Sequence, residues 1–167
     1  LVNEFSDFAR MPKPILKDNN LVLIINENID LLKEIDTQIL INFASNKEEI
    51  ILKSDYEQLS RVFLNLIKNA IESIQEKKIN KHNFNGKVEI TINEVDDYVN
   101  FNIIDDGVGF NELEGDIKNI MNPYFTTKEK GTGLGLAIVN KIINDHNGII
   151  NFISQKNGAK INIKFLR

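Results

Sequence analysis

The sequence predicts an α+β domain, a two-layer α/β sandwich in which a mixed, mainly antiparallel sheet packs on about three helices. Three observations lead there. Two pairs of alternating apolar and polar segments, 87–94 with 98–104 and 149–154 with 159–165, each flank a short turn, around Asp96–Asp97 and Asn157–Gly158. Three longer stretches carry apolar residues in helical patterns, and such stripes are buried by laying helices on a sheet. At 167 residues, the chain fits one domain with a core that needs no staples.

The elements follow in order. Leu1, Phe5, Phe8 and Ala9 fall at helical spacing, and Pro12 and Pro14 then end that helix. A helical pattern at the first residue reads as the end of a longer helix. Residues 21–32 are apolar and fit a buried helix, while 39–43 and 50–53 read as strands joined by a polar turn at Ser45–Asn46. A long helix, capped by Ser54, is expected from Asp55 towards Glu76, followed by a polar loop over 77–86. Residues 111–131 are long and weakly periodic, as a mobile loop would be. Residues 134–145 form the third helix, stopped near Asn147–Gly148.

Composition narrows the function. With 42% hydrophobic and 26% charged residues, the chain reads as an ordinary soluble globular protein. No apolar run approaches the roughly 20 residues needed to cross a bilayer. The absence of cysteine removes disulfides and thiolate zinc sites. A net charge of −4 argues against nucleic acid as the main partner, because phosphate backbones demand clustered cations.

Three motifs carry chemistry. On the long helix Leu59, Phe63, Leu66, Ile67, Ala70 and Ile74 make the core face. Asn65, Asn69 and Glu72 lie beside it within an arc of roughly 60°. Asparagine is a poor helix former, and an amide oxygen is a hard neutral ligand that suits magnesium; both side chains could equally face solvent. Asp105-Asp106-Gly107-Val108-Gly109 follows a strand directly. A carboxylate there can accept from an exocyclic amine such as that of adenine, and alternate glycines let backbone approach a flat ligand; a plain Asp–Gly turn is the simpler alternative. Gly131-Thr132-Gly133-Leu134-Gly135-Leu136 opens the last helix, where free N–H groups and the helix terminus favour phosphate over a mere hinge. Its spacing fits neither the dinucleotide fingerprint nor the P-loop.

Taken in order, with Pro123-Tyr124-Phe125-Thr126-Thr127-Lys128 between the last two, these segments closely resemble the N, G1, F and G2 boxes of the sensor histidine kinase catalytic domain. That domain has the Bergerat-type ATP-binding fold shared with gyrase, Hsp90 and MutL. The resemblance spans roughly residues 21–166, and the details Asn-Ala-Ile-Glu-Ser and Phe-Thr-Thr-Lys look most like the nitrogen-regulation sensor kinases. Residues 1–14 are similar to the end of the second helix of the dimerisation domain plus linker, leaving 15–167 as the catalytic domain.

The resemblance implies an ATP and Mg2+ site. Asn69 would bind the metal and Asn65 would support its waters or phosphate; with Lys128 they would form the catalytic set. Asp105, Gly107 and Gly109 would hold the base. Phe125, Thr126, Thr127, Lys128 and Gly131 to Leu136 (Thr132, Gly133, Leu134 and Gly135 between them) would surround the phosphates under the lid. Many members carry a cation three places after the metal asparagine; here it is Glu72, so Lys68 or Lys128 would serve. Gyrase-like relatives place a catalytic glutamate one turn before that asparagine, where this chain has Asn65, so slow hydrolysis and transfer to a protein histidine are expected. His82 and His146 lack the acceptor context and are expected on the surface. The implied partners are a histidine-bearing dimerisation domain of the same protein and a response regulator. The domain would be cytoplasmic and its parent membrane-attached.

Overall fold

The computed structural model describes residues 10–110 and 135–167. Five strands form the main sheet in the order β2-β4-β5-β7-β6: β2 (Leu40–Ser45), β4 (Lys87–Val95), β5 (Tyr98–Asp105), β7 (Gly158–Leu166) and β6 (Gly148–Gln155). All neighbours are antiparallel except β2 with β4, which run parallel with Leu40 opposite Lys87. A separate ribbon pairs β1 (Lys17–Asn20) with β3 (Ile51–Ser54). Three helices, α1 (Leu21–Leu32), α2 (Tyr56–Asn80) and α3 (Gly135–Asp145), complete the described fold. The mixed, mainly antiparallel sandwich expected from sequence is the one observed.

Strand alternation makes the sheet one-sided. Val88, Ile90 and Ile92 of β4 and Val99, Phe101 and Ile103 of β5 are buried, whereas their neighbours Thr91, Asn93, Asn100 and Asn102 are half-exposed. Helix α2 lays Leu59, Val62, Phe63, Leu66, Ile67, Ala70 and Ile74 on that apolar face, as its periodicity predicts. Phe63 and Phe101 meet with ring centroids 5.0 Å apart, joining helix to sheet at the centre of the core. On the other face Asn162, only 9% exposed, donates through Nδ2 to the side-chain oxygens of Asn100 and Asn102 at 2.7 and 2.9 Å, so this buried amide is satisfied by a row of polar neighbours.

Several expectations are corrected. β2 and β3 do not pair; they diverge into different sheets, and β1 supplies the partner of β3. The cap of α2 is Asp55, whose Oδ1 accepts from the Gln58 N–H at 3.0 Å, because Ser54 is the last residue of β3 and its hydroxyl donates to Leu52 O instead. Helix α2 continues to Asn80, so residues 77–80 are helical and not loop. Lys78 bonds Gln38 and Lys77 bonds the backbone of Asp106, which holds this polar last turn in place. The stub with Phe5 and Phe8 lies outside the described residues.

Candidate functional site

Asp105 is the last residue of β5 and continues its buried register, which brings its carboxylate, 9% exposed, to the helix side of the sheet. Its Oδ1 accepts the Gly107 N–H at 2.9 Å, so the side chain shapes the turn it begins. That turn then lies directly on α2. Val108 N–H donates to Ser73 Oγ at 3.0 Å and approaches Ser73 O at 3.3 Å. A Cβ on Gly107 would stand 2.3 Å from Ser73 Oγ and 2.6 Å from the Ser73 carbonyl carbon, so only glycine permits this approach. Ser73 is one helical turn beyond Asn69 and two beyond Asn65. The aspartate turn and the two amides are thus mounted on one stretch of one helix.

The turn is braced from two other sides. Asp106 accepts the Lys87 N–H on Oδ1 at 2.8 Å, and its carbonyl accepts Lys77 Nζ at 2.9 Å, with that ammonium also 4.7 Å from the Phe84 ring centroid. Gly109, at φ +74, packs on Gly158 of the β6–β7 turn; Gly158 itself, at φ +121, would put a Cβ 1.9 Å from Asp105 O. Of the residues that fix the turn, Ser73, Lys77 and Asp106 carry no role expected from sequence, and Gly158 enters there only as a hairpin turn residue. Their signal was available only as spacing, Ser73 lying one turn after Asn69 and Gly158 in a turn with no stated partner.

The remaining expected residues are distributed as follows. Asn65, Asn69 and Glu72 are half-buried at the rim of the core face, and Lys68 is exposed beside them. Gly135 begins the described part of α3 with open space where a Cβ would point, and Leu136 packs on the core. Phe125, Thr126, Thr127, Lys128, Gly131, Thr132, Gly133 and Leu134 lie outside the described residues. A cleft of about 500 Å³ on the other flank of Asp105 is bordered by Lys77, Phe84, Lys87 and Asp106, and Asn65 and Asn69 do not line it. His82 is exposed as expected, but His146 is not: it is 6% exposed, its Nε2 accepts the Asp55 N–H at 3.0 Å, and its Nδ1 lies 2.8 Å from Ile142 O. The polar residues around it in sequence hid a ring that serves as an internal hydrogen-bond link.

Known proteins agree with this architecture. Residues 54–167 match the family of histidine kinase-, DNA gyrase B-, and HSP90-like ATPases. A putative sensor histidine kinase NtrY-like of Rickettsia felis is 38% identical over 167 residues, covering 99% of this chain and 26% of that protein. The nitrogen regulation protein NtrY of Azorhizobium caulinodans is 33% identical over 149 residues, covering 89% and 19%. This chain therefore spans about a quarter or less of the length of these relatives. Among solved structures, the catalytic domain of histidine kinase ThkA superposes with a TM-score of 0.79 at 30% identity, covering 91% of this chain and 95% of that one. With four ordered boxes, the sandwich and these matches in hand, the chain belongs to the histidine kinase-, DNA gyrase B- and HSP90-like ATPase family, as a catalytic domain of the sensor histidine kinase kind.

Proposed function

We propose that this domain binds Mg-ATP against α2 and the 105–109 turn and passes the γ-phosphoryl group to a histidine on a dimerisation domain of the same protein. A response regulator would be the next acceptor. The docking of Gly107 and Val108 on Ser73 carries this reading, because it fastens the turn that Asp105 begins to α2, one helical turn from Asn69 and two from Asn65. In it, Asp105 accepts from the adenine amine while Gly107 and Gly109 border the ring. Asn69 offers an amide oxygen to magnesium and Asn65 supports metal waters or phosphate. Lys68, Lys128, Phe125, Thr126, Thr127 and the glycines 131, 133 and 135, with Thr132, Leu134 and Leu136, form the phosphate side.

The donor set fits magnesium. The ion takes oxygen ligands and keeps several waters, so one or two half-buried amides plus phosphate oxygens suffice. Among the described residues no group of three or more His, Cys, Asp or Glu offers a carboxylate or imidazole cage. When bound, the ion neutralises phosphate charge, and the protein's own share is positioning. Hydrolysis needs in addition a group that orients or deprotonates water. Asn65, a neutral amide, stands one turn before Asn69, which favours transfer over hydrolysis.

The domain would act in the cytoplasm with its parent held at a membrane; among the described residues no helix is long and apolar enough to cross one. Radiolabelled ATP tests the reading. The chain should label a separate histidine-bearing dimerisation domain and not itself. Acid-labile label on the chain alone, or ATP turnover approaching about one per second, the low end of ordinary enzyme rates, would overturn it.

A further inference from the structure

Where the linker enters the domain, it meets a cluster that touches both helices of the proposed site. Ile15 N–H donates to Asp55 Oδ2 at 2.9 Å, and Gln58 Nε2 donates to Pro12 O at 3.0 Å. Asp55 caps α2, and its own N–H donates to His146 Nε2 at 3.0 Å. Because Nε2 accepts, the proton of a neutral ring sits on Nδ1 and is donated to Ile142 O, 2.8 Å away. The linker, the first turn of α2 and the end of α3 are thereby joined through Asp55, Gln58 and His146. Further along α2 stand Asn65 and Asn69; α3 begins at the glycine-rich segment.

The packing of this junction is incomplete in two respects. Gln58 is only 8% exposed, yet among the described residues its Oε1 has no hydrogen-bond partner. A buried acceptor without a donor costs free energy, so another arrangement stands to gain what this one forgoes. Beside it is a cavity of about 450 Å³ bordered by Arg10, Met11 and Pro12 of the linker, Asp55 and Gln58 of the α2 start, and Ile142 of α3. It leaves space beside the linker, and its wall carries two guanidinium donors, Arg10 and Arg61.

We propose that Asp55, Gln58 and His146 form a two-position latch that couples the placement of the linker to nucleotide binding, so that a movement delivered through the linker changes the alignment of α2 against α3. These are positioning residues: none is assigned a contact with nucleotide. The proposal rests on α2 and α3 bearing the nucleotide site. By linkage the coupling is reciprocal, so nucleotide must act on the linker as strongly as the linker acts on nucleotide.

Amide hydrogen exchange on the full chain, with and without saturating magnesium and a non-hydrolysable ATP analogue, tests this. Protection at the Ile15 and Asp55 amides should change by about fivefold or more, the lower range of allosteric coupling, while the remote surface amide of Lys47 stays within twofold. In Ile15→Pro, which removes one donor at a position 71% exposed and so spares the core, the change at Asp55 should fall below twofold while calorimetry still detects nucleotide binding. Gln58→Glu, which keeps the acceptor but loses the donor to Pro12 O, should behave alike. Nucleotide bound with the Ile15 and Asp55 amides unmoved overturns the latch and leaves the functional reading standing. No binding of nucleotide by the unmodified chain overturns both.

Discussion

Val108 hangs on Ser73: its amide donates to the serine hydroxyl at 3.0 Å, 35 residues away in sequence, and meets the serine carbonyl at 3.3 Å. Through that contact a loop leaving the sheet is fastened to a helix running over it, and the fastening point is one turn from Asn69. The contact needs a residue without Cβ at 107 and a carboxylate at 105 to bend the chain. The variants below separate these parts.

Asp105→Asn keeps an Oδ1 that accepts the Gly107 N–H, so the turn should survive and the melting temperature should stay within a few degrees. The acceptor for an exocyclic amine becomes an uncharged amide, and loss of a charge-assisted hydrogen bond of about 1.5–3 kcal/mol corresponds to roughly 10–100-fold weaker ATP binding. Calorimetry should show the loss with and without magnesium.

Asn69→Ala should weaken ATP binding only when magnesium is present, by roughly tenfold or more. Equal weakening in magnesium and in chelator would mean that the amide does not ligate the ion.

Gly107→Ala places a methyl 2.3 Å from Ser73 Oγ and forces the turn off α2. Overpacking of this kind costs about 1–3 kcal/mol. Pairing it with Ser73→Gly, which removes the clashing hydroxymethyl group but not the serine backbone, should recover part of the loss in denaturant titrations.

Phe101→Ala should cost about 3–5 kcal/mol, since the ring is fully buried and meets Phe63 at 5.0 Å. Urea unfolding should show a lower midpoint with an unchanged slope.

Asn65→Glu puts a carboxylate one turn before Asn69. If a missing water-orienting group is what suppresses hydrolysis, ATP turnover should rise about tenfold or more, read by phosphate release.

Much of this architecture was legible from residue spacing. The apolar stripe of α2 and the alternation of β4 and β5 are strong because each element buries a single face, and the four boxes follow one another in order. What was not legible depends on partners distant in sequence. Lys17–Asn20 contains no apolar alternation and is a strand only because Ser54 to Ile51 lie opposite it. Nothing in residues 39–53 says that its two strands part company, since pairing is made by backbone groups. The cap lies one place later than expected because serine and aspartate, adjacent at 54 and 55, are both good caps, and Ser54 stays in the ladder with β1 while its hydroxyl donates to Leu52 O. His146 sits among the exposed Asp145 and Asn147, and only its own reach back to Asp55 buries the ring.

The parallel pairing of β2 with β4 also has a bearing on how the chain assembles. β4, β5, β7 and β6 form a sheet of antiparallel neighbours, two of whose junctions are tight turns, whereas β2 must wait for β4 across an intervening ribbon strand and the whole of α2. Closing that separation costs chain entropy before any ladder bond is made. It is one of two such closures in the sheet, the other being β5 with β7 across the still longer stretch that contains α3, and long-range pairings of this kind are what slow the folding of strand-rich domains.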